Sequence, residues 1–130
     1  MGVWVEGGSA NVTVARSLVA DCGAGALRVG RGKPLSDEPA GSVTANVSAL
    51  NCKFLNGSAV WHGGNGVLLQ NSPFFTLRRC EVAYFKHCAV CLGWVWGFGA
   101  AGAPPATRGN VVERNHVHHA GLVRPLLATD

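Results

Sequence analysis

At 130 residues the chain has room for one domain, and 48% apolar against 14% charged residues marks it as core-forming rather than disordered. A formal charge of +4, from 11 Lys and Arg against 7 acids, is too sparse for an extended nucleic-acid footprint, so no nucleic-acid partner is expected. No apolar run reaches the ~18 residues of a membrane-spanning helix, and no basic stretch followed by an apolar core marks a signal peptide.

The chain opens on Met1-Gly-Val-Trp-Val-Glu6, a strand with no polar cap. Next comes Val12-x-Val14-x-Arg16-Ser17-x-Val19-Ala20, whose apolar residues fall at every second position, the period of a strand. Ala26-Leu27-x-Val29-Gly30 follows, then a Gly/Pro-containing insertion near 33–42. Val47-x-Ala49-x-Asn51-Cys52-x-Phe54 repeats the first pattern, and His62-Gly-Gly64-Asn-Gly66 marks a tight turn. Phe75-x-Leu77-x-Arg79-Cys80-x-Val82-Ala83 is a third copy, continued by Ala89-Val90-x-Leu92-Gly93. After a second insertion near 94–109, Asn110-x-Val112-x-Arg114-Asn115-x-Val117 is the fourth.

Anchored on Ser17, Cys52, Cys80 and Asn115, the copies are spaced by 35, 28 and 35 residues. Such periods signal a solenoid, because one unit cannot bury its apolar face alone. A small or amide residue at the anchor suits a tight bend. The expected fold is all-β, a right-handed single-stranded parallel β-helix of about four coils, with the two insertions accounting for the longer spacings. With 18 Gly in the chain, an α-solenoid is disfavoured. The strand-like opening and the stop at Asp130, just after an apolar run, lead us to expect a fragment with open ends, stacked on further coils of a longer chain.

Chemistry-bearing residues are few. Cys52 and Cys80 share the anchor column one coil apart, either as a disulfide or as stacked buried thiols. Cys88-Ala-Val-Cys91 has the spacing of a metal motif, but residues three apart on a strand face opposite sides. No metal and no cofactor are therefore expected, although His87, His116 and His118 lie nearby as the ingredients of a zinc alternative. Arg16, Arg79 and Arg114 form one column with Asn51, either a solvated face or a strip for acidic saccharides. Three sequons, at Asn11, Asn46 and Asn56, fit a secretory-route protein, and Asn and Ser also suit strand corners. Glu81 falls in the column of Lys53 and His116, as an ion-pair partner.

The stretches Gly66-Val-Leu-Leu-Gln-Asn-Ser72, Arg79-Cys-Glu-Val82, Ala89-Val-Cys-Leu-Gly-Trp94-Val-Trp96 and Asn110-x-x-x-x-Asn115-x-Val-His-His119 resemble the β-helix repeat proteins of the pectate-lyase-like superfamily. More narrowly they are similar to the branch that includes β-xylosidase-type glycosidases. The resemblance covers residues 57 to 130 and implies a carbohydrate partner. It implies that Asp130 is a catalytic carboxylate, that His118 and His119 lie near it as substrate-binding residues, and that Trp94 and Trp96 wall a sugar site. Glycoside hydrolysis needs two carboxyl groups about 5 to 9 Å apart. No second one is evident, so the isolated chain is expected to be an inactive, glycosidase-like piece. The alternatives are a polysaccharide lyase piece, a non-catalytic glycan-binding segment, or a scaffold.

Overall fold

The computed structural model describes residues 1–32, 42–93 and 106–122. Every regular element there is a strand: β1 (Val3–Val5), β2 (Ala10–Ala15), β3 (Leu18–Ala20), β4 (Leu27–Gly30), β5 (Ala45–Leu50), β6 (Lys53–Leu55), β7 (Val67–Gln70), β8 (Thr76–Arg78), β9 (Glu81–Phe85), β10 (Val90–Leu92), β11 (Val111–Glu113) and β12 (His116–Ala120). They form three parallel four-stranded sheets, β1-β4-β7-β10, β2-β5-β8-β11 and β3-β6-β9-β12. Each sheet takes every third strand, so three consecutive strands make one tier and four tiers stack in a solenoid-like arrangement. No helix among the described residues is long and apolar enough to cross a membrane.

The register follows the sequence repeat in two of the sheets. Leu18, Lys53, Glu81 and His116 pair in turn, one residue after the anchor positions Ser17, Cys52, Cys80 and Asn115. The first sheet obeys other spacings: Val3 pairs Leu27, Leu27 pairs Val67, and Val67 pairs Val90. An uninterrupted tier is therefore 23 or 24 residues long, as the steps from Val67 to Val90 and from Val3 to Leu27 show. The 28-residue step from Ala49 to Leu77 contains the turn through His62–Gly66.

Inward-facing side chains stack into columns. Val19, Phe54, Val82 and Val117 form one, and Val14, Ala49, Leu77 and Val112 another. In the middle tiers Phe54, Val82, Ala49 and Leu77 have no exposed surface. In the last tier Val112 and Val117 are 44% and 47% exposed. The hydrophobic drive is thus concentrated in the two central tiers, where a buried side chain of this size contributes about 1.5–3 kcal/mol.

Three corners per tier are made by residues with left-handed backbones. Asn11, Asn46, Phe74 and Gly109 form one such column, Arg16, Asn51, Arg79 and Arg114 a second, and Asp21, Asn56, Tyr84 and His119 a third, all with φ between 49° and 64°. The bend therefore falls one residue before the anchor that the sequence pattern suggested. The reason lies in the hydrogen bonds. Left-handed geometry turns the chain while the corner N–H still reaches the next tier, as in Arg16 N to Leu50 O at 2.9 Å and Asn51 N to Arg78 O at 3.0 Å. The anchor side chain then turns inward.

At the anchor, thiols and an amide do the same work. Asn115 Oδ1 accepts from Cys80 N at 2.8 Å and its Nδ2 donates to Leu77 O at 2.9 Å. One tier away, Cys80 Sγ accepts from Cys52 N at 3.4 Å and donates toward Ala49 O at 3.4 Å. Cys52 and Cys80 are both buried free thiols, and burial raises the Cys80 pKa. Because an amide can reproduce both bonds, Cys80→Asn should keep stability within about 1 kcal/mol. Cys80→Val removes the acceptor for Cys52 N–H and should cost about 1–3 kcal/mol. Denaturant titration of the two variants checks this pair.

Candidate functional site

Stacking places two groups of polar and aromatic side chains on the outer surface. The first lies on the outward face of the β1-β4-β7-β10 sheet. Along β1, Val3 and Val5 turn inward, so Trp4 turns out and pairs in register with Arg28. Its indole Nε1 donates to Gly30 O at 3.2 Å, and the Arg28 guanidinium sits over the ring at 4.4 Å. Trp4 nonetheless remains 49% exposed. Arg31 grips Glu6 with two bonds, Nε to Oε2 at 2.8 Å and Nη2 to Oε1 at 3.0 Å. That hydrogen-bonded pair lowers the Glu6 pKa.

These residues, with Gly32 and Gln70, line a groove of about 430 Å³. Gln70 is itself buried, and an added Cβ on Gly32 would stand 2.6 Å from its amide nitrogen. A side chain at this position would have to push the Gln70 amide aside. Burial lowers the Arg28 pKa, opposed by the Glu6 charge, and Arg28 Nε is buried with no hydrogen-bond partner among the described residues. The groove thus combines a half-exposed indole, with the Arg28 guanidinium over its ring, and the Arg31–Glu6 pair. The connections that follow β4 and β10 both lead from this sheet to the next.

The second group lies on the β3-β6-β9-β12 sheet. Lys53 Nζ meets Glu81 Oε2 at 2.9 Å, the cross-tier pair expected from the repeat. The other carboxylate oxygen faces His118 Nε2 at 3.3 Å. Hydrogen bonds from Lys53 and then from His118 hold the Glu81 pKa below its ordinary value. His116 stands opposite Glu81 in the register, with its ring 4.2 Å from that of His118. His119 and Tyr84 complete the cluster, their rings stacked at 4.9 Å.

Among the residues singled out from sequence, His118 and His119 are brought together here. Asp130, Trp94 and Trp96 lie outside the described residues. The described acids are each engaged: Glu6 by Arg31, Glu81 by Lys53 and His118, Glu113 by Arg78, and Asp21 by the amide of Asn56. Sequence reasoning missed Trp4, Glu6, Arg28, Arg31 and Gln70. Their partners lie in other tiers at spacings outside the 35-28-35 pattern; only the strand alternation around Trp4 hinted that its indole faces out. Comparison with known proteins finds no matching family model, no matching curated protein and no matching solved structure.

Proposed function

We propose that this chain is a carbohydrate-binding stretch of a right-handed parallel β-helix of the pectate-lyase-like kind, and that its ligand is an acidic oligosaccharide held in the Trp4 groove. Right-handedness is proposed because parallel strands joined by crossovers take that hand almost always. The observation that carries the functional reading is the pairing of a half-exposed indole with Arg28 and Arg31 in one groove. An indole offers an apolar platform with a polar edge, suited to the C–H face of a sugar ring. A guanidinium presents planar paired donors that match a carboxylate, as on a uronate; the Arg31 fork is taken up by Glu6, so the carboxylate is assigned to Arg28. A groove of about 430 Å³ is within the size range of small-ligand sites.

Binding is favoured over hydrolysis because each described carboxylate already has a cationic or amide partner. The glycosidase-like alternative rests on Asp130 with a second carboxylate still to be assigned. Titration of the chain with oligogalacturonate and with neutral xylo-oligosaccharides, read by calorimetry, separates the possibilities. The acidic ligand should bind, with Trp4→Ala and Arg28→Ala each weakening it about tenfold or more, the loss of one hot-spot contact. Binding of neither sugar would leave a scaffold. Binding that survives both substitutions but fails in Arg79→Ala/Arg114→Ala would move the site to the arginine corner column.

A further inference from the structure

The geometry points to a divalent transition-metal site, best suited to Zn²⁺, formed by Glu81, His116 and His118 on the outer face of the β3-β6-β9-β12 sheet. One ligand atom from each of the three lies within 4.8 Å of the others. The fold gathers them in a simple way. His116 and His118 are two apart on β12 and so project from one face. Glu81 on β9 is the register partner of His116, one strand away. Glu81 Oε1 and His118 Nε2 already stand 3.3 Å apart. That is close to the roughly 3.3–3.4 Å between two ligands of a tetrahedral ion with bonds near 2.0–2.1 Å. His116 is exposed, so its ring can close the remaining gap without disturbing the core.

The surroundings fit a ligand set as well. His118 Nδ1, the nitrogen turned away from Glu81, is 2.6 Å from His119 Nδ1. A ligating imidazole characteristically has its other nitrogen held by an outer partner, which fixes the tautomer and ring plane. Adjacent residues on a strand normally point to opposite faces. Here the left-handed backbone of His119, φ 49°, closes the two rings together. Tyr84 stacks on His119 at 4.9 Å and meets His118 edge-on at 5.5 Å, which limits both rings. Two imidazoles and one carboxylate favour zinc or a neighbouring late transition ion over calcium or magnesium, which prefer all-oxygen shells. Three protein ligands leave a fourth position for water or an exogenous oxygen. Lys53, on Glu81 Oε2, adds a positive charge that opposes the metal.

Calorimetric titration of the 130-residue chain with ZnCl₂, repeated with CoCl₂ and read by visible absorption, tests the assignment. The expected result is one ion per chain at micromolar affinity, with cobalt d–d bands but no thiolate charge-transfer band. His116→Ala, His118→Ala and Glu81→Gln should each abolish that binding, and His119→Ala should weaken it by about tenfold or more. Lys53→Met should tighten it. Failure to bind either ion at millimolar concentration overturns the proposal. So does binding that shows the thiolate band and is unchanged in His116→Ala and His118→Ala, since the ion would then sit on cysteines. Loss of affinity in Lys53→Met would remove Glu81 from the ligand set. The carbohydrate reading concerns another sheet and stands or falls separately.

Discussion

Val82→Asp should abolish folding. Val82 is fully buried in the third tier, between Phe54 and Val117 in its column. An added Cβ at Gly66 would already lie 2.5 Å from its Cγ1, so there is no slack around it. A carboxylate there can neither reach water nor find a cation among its core neighbours. Burying it costs about 4 kcal/mol or more, a large part of the roughly 5–15 kcal/mol that holds a domain together. Circular dichroism melting should show no cooperative transition for Val82→Asp. Thr13→Asp, on an exposed position of β2, should melt within about 0.5 kcal/mol of the parent. A cooperative, parent-like melt for Val82→Asp would mean that the inward and outward faces of β9 have been exchanged.

The second large effect is expected at Gly30. Its φ is 77°, and an added Cβ would stand 1.9 Å from the carbonyl oxygen of Gln70. Two penalties combine: about 1–2 kcal/mol for a left-handed alanine, and the displacement of a paired strand by an atom that has no room. Gly7 separates them, because it has φ 68° and nothing within 4 Å of its added Cβ. Gly7→Ala should cost only the conformational part, about 1–2 kcal/mol, whereas Gly30→Ala should cost about 3 kcal/mol or more. Equal losses in denaturant titrations would show that strand β7 gives way freely. Since Gly30 O accepts the Trp4 indole N–H and Gln70 lines the groove, Gly30→Ala should also disturb the groove around Trp4.

The stacking of the second and third sheets was legible in the sequence because both sheets cross the same insertions and therefore share one set of spacings. Ser17, Cys52, Cys80 and Asn115 do occupy one column, and Lys53 does pair with Glu81. The first sheet hid its register. The strands on either side of an insertion belong to different sheets, so the insertion shifts each sheet's spacing at a different step. Ala26-Leu27-x-Val29-Gly30 and Ala89-Val90-x-Leu92-Gly93 share one pattern, but nothing in it marks the strand between them, Val67–Gln70, as their common neighbour. The corner was misplaced by one residue for a physical reason. An amide at the anchor looks like a turn former, yet Asn115 spends its side chain on the ladder, while an arginine takes the strained backbone beside it. The imidazoles of His118 and His119 were named for a sugar. Their convergence depends on a backbone angle that no residue pattern announces.

The corner columns carry one more consequence. Asn11 and Asn46 are equivalent corners, linked by the Asn46 amide donating to Asn11 Oδ1, and the Asn56 amide likewise donates to Asp21. Two residues beyond the first two stand Thr13 and Ser48, outward positions of paired strands. Asparagine is there because it tolerates the left-handed turn, and hydroxyl residues because they suit a strand's outer face. A glycosylation signal is thereby spelled by architecture alone. The triplet stands in the first two tiers, where asparagine takes this corner, and is lost in the next two, where Phe74 and Gly109 take it; it reports the choice of corner residue before it is an address for the secretory route.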